Sequence, residues 1–223
     1  MNNAYWLCPS ILSANFARLG DDVQDVIDAG ANRIHVDVMD NHYVPNLTFG
    51  PMICSALRQY GITQPLDVHL MVTPVDRLIT DFIDAGANCI VFHPNASDNV
   101  MQSLSLISEA GIDCGLAINP EVPIEDITPY LDRIQRILLM SVNPGFSGQK
   151  FIPETLDKAA TLRALIDRHN LAIRLEIDGG VTISNIADIA NHGVNTFVAG
   201  SAIFNQPDYA KTIKEFRHQL STR

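Results

Sequence analysis

The chain has 223 residues, 47% of them apolar, which suits one large core, and no linker or low-complexity stretch divides it. Its formal charge is −10 without a basic cluster, so a nucleic-acid or anionic-membrane partner is disfavoured, and a bound phosphate would have to be held by something other than lysines. The opening M-N-N-A-Y-W-L-C-P-S lacks the basic and apolar parts of a signal peptide, and no apolar run reaches the length of a membrane span, so a cytoplasmic protein is expected.

Taken in order, the apolar runs predict strands at 5–9, 33–38, 66–71, 89–93, 113–118, 136–142, 173–177 and 195–199. A recurring phrase links them. D-A-G-A-N at 28–32 and again at 84–88, E-A-G-I-D at 109–113 and N-H-G-V-N at 191–195 each close an amphipathic segment and precede a strand. The glycine of each phrase suits the left-handed position that ends a helix. Helices are expected at 75–85, 99–110, 153–170 and 207–220. Repeated helix, glycine stop and strand, with eight strands in all, predict a single α/β domain over 1–223, a (β/α)8 TIM barrel. A doubly wound open sheet is the rival, disfavoured because no G-x-G-x-x-G follows the first strand.

In such barrels chemistry gathers where strands end. The stretch R-I-H-V-D-V-M-D at 33–40 alternates, so His35, Asp37 and Met39 share one face and Ile34, Val36 and Val38 the other. L-D-V-H-L-M at 66–71 repeats the device with His69 and Met71, and R-L-E-I-D-G-G at 174–180 adds Asp178. His35, Asp37, His69 and Asp178 can converge there as two nitrogens and two carboxylates, a set that suits one Zn, Fe, Mn or Co ion better than Mg or Ca. The other reading is that these pairs brace the barrel without an ion. Asp67 and Glu176 share faces with His69 and Asp178 but lie lower, and internal hydrogen bonding is expected of them.

Glycine-rich turns follow three neighbouring strands: Gly145, Phe146, Ser147 and Gly148; Gly179 and Gly180; Gly200 and Ser201. Backbone N–H groups at such turns form an anion site without lysines. Met39, Met71 and Met140, at inward or strand-end positions, serve as gap fillers or, on the functional reading, as an apolar lid. The four cysteines, Cys8, Cys54, Cys89 and Cys114, lack metal-finger spacing and fit reduced, mostly buried thiols.

These motifs carry a resemblance. P-S-I-L-S-A-N-F at 9–16, H-V-D-V-M-D-N-H-Y-V-P-N-L-T-F-G-P at 35–51, D-V-H-L-M-V at 67–72, M-S-V-N-P-G-F-S-G-Q-K-F at 140–151, E-I-D-G-G-V at 176–181 and V-A-G-S-A-I-F at 198–204 together resemble the ribulose-phosphate 3-epimerases. The resemblance implies interconversion of D-ribulose 5-phosphate and D-xylulose 5-phosphate in the pentose phosphate pathway, with one divalent metal ion per chain and a homo-oligomeric assembly. It implies His35, Asp37, His69 and Asp178 as metal ligands, and Asp37 and Asp178 also as proton acceptor and donor. It implies substrate contacts at Ser10, His69, Gly145 to Gly148, Asp178 to Gly180, Gly200 and Ser201, and no nicotinamide or pyridoxal. The chain departs from the family pattern at Ser147, often glycine, and at Asn95, often glutamate. The alternatives are a 3-epimerase of a six-carbon ketose phosphate such as allulose 6-phosphate, a metal-free lyase or synthase barrel, and a non-catalytic sugar-phosphate- or metal-binding protein.

Overall fold

The structure, a computed structural model, describes residues 5–221. Eight strands appear in chain order: β1 (Trp6–Pro9), β2 (Ile34–Met39), β3 (Leu66–Met71), β4 (Cys89–Phe92), β5 (Asp113–Ile118), β6 (Arg136–Met140), β7 (Arg174–Asp178) and β8 (Thr196–Ala199). All neighbouring ladders are parallel, and the order β1-β8-β7-β6-β5-β4-β3-β2 curls the sheet into a barrel. The seam between β1 and β2 is thinner. A bridge pairs Ser10 with His35, Asn32 N–H donates to the Leu7 carbonyl at 2.9 Å, and Leu7 N–H donates to Asn32 Oδ1 at 2.8 Å.

The helices are α1 (Leu19–Asp28), α2 (Met52–Tyr60), α3 (Asp76–Asp84), α4 (Val100–Glu109), α5 (Thr155–Arg168), α6 (Ile186–Asn191), α7 (Ser201–Phe204) and α8 (Tyr209–Ser221). The strand and helix expectations hold to within about two residues at most ends. Gly30, Gly86, Gly111 and Gly193 of the repeated phrase all have positive φ, as a left-handed stop after a helix requires.

One crossing departs from the repeated unit. Between β5 and β6 the chain makes two 3-10 turns, Ile124–Asp126 and Thr128–Arg133, in place of an α-helix. Pro120, Pro123 and Pro129 lie in this segment, and each removes a backbone donor and restricts the residue before it.

Strand alternation divides the core into two shells. Ile34, Val36, Val38, Leu66, Val68 and Leu70 face outward into the continuous layer shared with the helices. Each such fully buried aliphatic side chain contributes about 1.5–3 kcal/mol. Inside the barrel, Cys89, Val91, Ala117, Leu138, Met140 and Val142 form an apolar half along β4 to β6. The other half of the interior, from β1 to β3 and β7, carries Cys8, His35, Asp37, Asp67, His69 and Glu176, all buried. At the N-terminal end of the strands the guanidinium carbons of Arg33, Arg136 and Arg174 lie 4.5, 4.4 and 3.8 Å from the Trp6 ring centroid, a cationic floor under the polar half.

Candidate active site

The alternation of β2 and β3 turns His35, Asp37 and His69 into the barrel, and the last residue of β7 brings Asp178 to meet them. One potential donor atom from each of the four lies within 4.8 Å of all the others. Asp37 stands at the centre: its Oδ1 is 3.3 Å from His35 Nε2 and 3.4 Å from His69 Nδ1. Its Oδ2 accepts a hydrogen bond from Ser10 Oγ at 2.5 Å. Thr48 Oγ1 donates to the Asp37 carbonyl at 2.8 Å and accepts from Met39 N–H at 2.9 Å, pinning the end of β2. Ser141 does the same for β7, its Oγ donating to the carbonyls of Asp178 and Gly179 at 2.9 and 2.7 Å.

Both imidazoles are almost wholly buried, yet His35 Nδ1, His35 Nε2 and His69 Nδ1 make no hydrogen bond. A buried polar atom left in that state costs about 1–3 kcal/mol. Two imidazole nitrogens and two carboxylates converging with unused lone pairs fit a borderline divalent cation, which would satisfy them together.

The charges in this cluster are set by one another. Burial opposes a charge on His35, but the Asp37 carboxylate, helped by Asp178 and Glu176, outweighs it and pushes the pKa up to about 10. Burial likewise opposes ionisation of Asp37, and the facing imidazoles outweigh it, holding the carboxyl well below its ordinary range. Asp178 goes the other way: burial, then the negative charge of Asp37, push it up to about 7. His69 is lowered, mainly by burial.

One layer below, Asp67 and Glu176 correct an expectation. No oxygen of either carboxylate makes a hydrogen bond. Glu176 Oε1 stops 3.6 Å from His35 Nδ1. Electrostatics replaces hydrogen bonding here. Burial disfavours the Asp67 charge, but Arg136, His35 and Arg33 outweigh it and lower its pKa. Burial and then the charge of Asp67 push Glu176 up to about 8.

Above the four residues opens a cavity of about 530 Å³. Its walls include Ser10, Asp37, Gly145, Phe146, Ser147, Gly148, Asp178, Gly179, Gly180, Gly200 and Ser201, so the three glycine turns face one space. His35 and His69 lie outside that lining, under its floor. Met39, Met71 and Met140 also line it while remaining buried, the apolar part of its wall beside Asp37 and Asp178. Phe146 is half-exposed at the rim. Its loop is tied down by Asn46 Nδ2 donating to the Gly145 carbonyl at 2.7 Å and Gln149 Nε2 donating to Asn143 and Phe146 carbonyls at 2.6 and 3.0 Å. Asn185 fixes the Gly179–Gly180 turn, with Nδ2 on the Gly180 carbonyl at 2.9 Å and Oδ1 on Thr182 N–H at 2.8 Å.

Asn46 and Gln149 lie inside the motifs at 35–51 and 140–151 and Asn185 outside any motif, and the sequence alone assigns none of the three a role. His93 closes the strand expected at 89–93, a place that assigns it no role. It is buried, its Nε2 lies 2.9 Å from His69 Nε2, and the Tyr43 ring packs on it at 4.9 Å between centroids. Burial, then the neighbouring His69, put its pKa well below that of an ordinary histidine.

Comparison with known proteins follows this geometry. Residues 6–204 match the model of the ribulose-phosphate 3 epimerase family. The ribulose-phosphate 3-epimerase of Serratia marcescens is 59% identical over 207 residues, 93% of this chain and 99% of that protein. The ribulose-phosphate 3-epimerase of Escherichia coli (strain K12) is 57% identical over 217 residues, 97% of this chain and 96% of that protein. Among solved structures, 3-hexulose-6-phosphate synthase from Salmonella typhimurium superposes with a TM-score of 0.74 at 15% identity, covering 96% of this chain and 98% of that one, a likeness of fold.

Proposed function

Since the chain belongs to the ribulose-phosphate 3-epimerase family, we propose that it interconverts D-ribulose 5-phosphate and D-xylulose 5-phosphate by removing and returning the proton at C3. It is an epimerase, an isomerase by class. The observation that carries the reading is the meeting of His35, Asp37, His69 and Asp178 beneath a cavity whose walls hold all three glycine turns.

Epimerisation next to a ketone passes through an enediolate, and the new proton must arrive on the face opposite the one that lost it. Asp37 and Asp178 come from β2 and β7, so each is assigned one face. Asp37, held ionised, is suited to accept a proton, and Asp178, near neutrality, to carry one. Ser10 orients Asp37 through its hydrogen bond. His35, Asp37, His69 and Asp178 would hold a divalent ion of the zinc, iron, manganese or cobalt type, which when bound would supply positive charge against the negative charge that develops on the substrate oxygens. Backbone N–H groups at Gly148, Gly180, Gly200 and Ser201, with the rest of the turn from Gly145 through Phe146 and Ser147 and with Gly179, are assigned to the phosphate. Met39, Met71 and Met140 keep water from the reacting carbons.

We further infer a cytoplasmic enzyme acting as a single domain without nucleic-acid or membrane partners. The net charge of −10 without a basic cluster supports the reading against nucleic-acid and anionic-membrane partners; no helix among the described residues is long and apolar enough to cross a membrane. A homo-oligomer is supported by Leu47 and Met52, exposed in the β2–α2 segment, and by the half-exposed Phe16 packed on Phe49 at 5.5 Å. Light scattering of the purified protein tests the assembly. Turnover of D-ribulose 5-phosphate against D-allulose 6-phosphate tests the substrate: the five-carbon sugar is expected to have the higher kcat/KM, and a preference for the six-carbon sugar would overturn the assignment.

A further inference from the structure

His93 does not line the cavity and is not one of the four converging residues, yet it packs directly against the site. It lies one residue past the end of β4, at 1% exposure, with Nε2 2.9 Å from Nε2 of His69. Two ring nitrogens at that distance share one proton between a donor and an acceptor. The other nitrogen of His69, Nδ1, faces Asp37 Oδ1 at 3.4 Å and has no hydrogen bond. If Nδ1 is to offer its lone pair to a cation, the proton of His69 must sit on Nε2, and His93 must then present a bare Nε2 to accept it.

We propose that His93 is a positioning residue: by accepting a hydrogen bond from His69 Nε2–H it holds His69 in the tautomer and orientation that present Nδ1 to His35, Asp37 and Asp178. The inference rests on the reading of those residues as a cation site. The surroundings fix His93 in turn. Its carbonyl accepts from Ala96 N–H at 2.9 Å, closing the 3-10 turn Pro94–Ala96. Tyr43 lies against the ring with an interplanar angle of 37°, and Tyr43 Oη donates to Asn95 Oδ1 at 2.8 Å. Asn95, one of the two departures from the family pattern, thus anchors the tyrosine that packs on His93. The turn fixes the His93 backbone, and swinging the side chain aside would break the ring packing and the His69 contact together, which is what a fixed acceptor requires.

The first measurement needs no variant. In the zinc-loaded native protein, two-dimensional 15N–1H spectra of the imidazoles should show His69 protonated at Nε2, with Nδ1 shifted as a zinc-bound nitrogen. A proton on His69 Nδ1, or zinc at Nε2, overturns the proposal. The second measurement is zinc affinity by chelator competition for His93→Phe, which keeps a ring against Tyr43 but removes the acceptor, and for His93→Gln, which restores one. His93→Phe should bind zinc about 10–100-fold more weakly. His93→Gln should recover most of the loss, and a merely space-filling role would favour the phenylalanine variant. Equal zinc affinity of the native and His93→Phe proteins overturns the inference alone. Failure of the native protein to bind zinc would remove the cation-site reading beneath it.

Discussion

Ser10 Oγ donates to Asp37 Oδ2 at 2.5 Å, so the hydroxyl occupies one carboxylate oxygen while the other faces both His35 and His69. A hydrogen bond to a charged group contributes about 1.5–3 kcal/mol. Ser10→Ala should therefore lower kcat/KM about 10–100-fold by letting Asp37 rotate. The four converging residues are untouched, so metal content should stay near native. Steady-state kinetics with elemental analysis of the same preparation checks both halves.

Metal loading should release protons. In the metal-free protein His35 is pushed up to about 10 and Asp178 to about 7, so near neutrality the first is charged and the second half-protonated. Both must lose their protons to become ligands. The folded metal-free state holds these protons more tightly than the unfolded chain. Its stabilisation from them is thus full below the ordinary values of 6.5 and 3.8 and lost as pH rises through about 10 and about 7. Asp37 has the opposite sign, contributing above its ordinary 3.8 and losing that contribution in acid. Zinc affinity should accordingly weaken as pH falls from about 8 to about 6, roughly tenfold per unit for each proton released. Calorimetry in buffers of different ionisation enthalpy counts those protons, and a pH-independent affinity with none released would contradict the charge assignment.

Two glycines of the turns should fail in different ways. A Cβ at Gly180, where φ is +64°, would meet Phe151 N at 2.4 Å, so Gly180→Ala should lower the melting temperature by displacing backbone. At Gly200 the nearest obstacle is the Ser13 side chain at 2.8 Å, which can turn away, so Gly200→Ala should fold. Its methyl should instead crowd the phosphate, raising KM about tenfold while kcat and metal content stay near native, an effect of roughly 1.4 kcal/mol on binding. An unaltered KM would place the phosphate elsewhere.

The strand alternation made much of this site legible before any coordinates. His35, Asp37 and His69 follow from a period of two on buried strands, and Asp178 from its place at a strand end beside two glycines. His93 was not legible because its partner lies 24 residues away on another strand, and two rings sharing a proton leave no periodic trace. The same holds for the three arginines around Trp6, which come from β2's approach, β6 and β7 and meet only when the barrel closes. The hydrogen bonds expected of Asp67 and Glu176 assumed that a shared face brings partners within reach, whereas Glu176 Oε1 stops 3.6 Å from His35 Nδ1 and the Asp67 charge is offset mainly by Arg136, His35 and Arg33.

The roles proposed for Asp37 and Asp178, which stand on β2 and β7, make up a two-base mechanism. One carboxylate would have to carry the proton around C3, whereas two can each attend one face of the planar enediolate. Asp37→Asn and Asp178→Asn should each reduce kcat by at least about a thousandfold. Because both are assigned as ligands, lost metal could mimic lost proton transfer, so occupancy must be measured with the rate. Native enzyme in heavy water separates the two causes. Asp178, near neutrality and lining the open cavity, can exchange its proton with solvent between turnovers. The epimerised product should then carry solvent deuterium at C3 from the first turnovers. A single shielded base would return the substrate's own hydrogen, and predominant internal return at early conversion, with metal fully bound, would refute the assignment of Asp37 and Asp178 to opposite faces while leaving the epimerase activity intact.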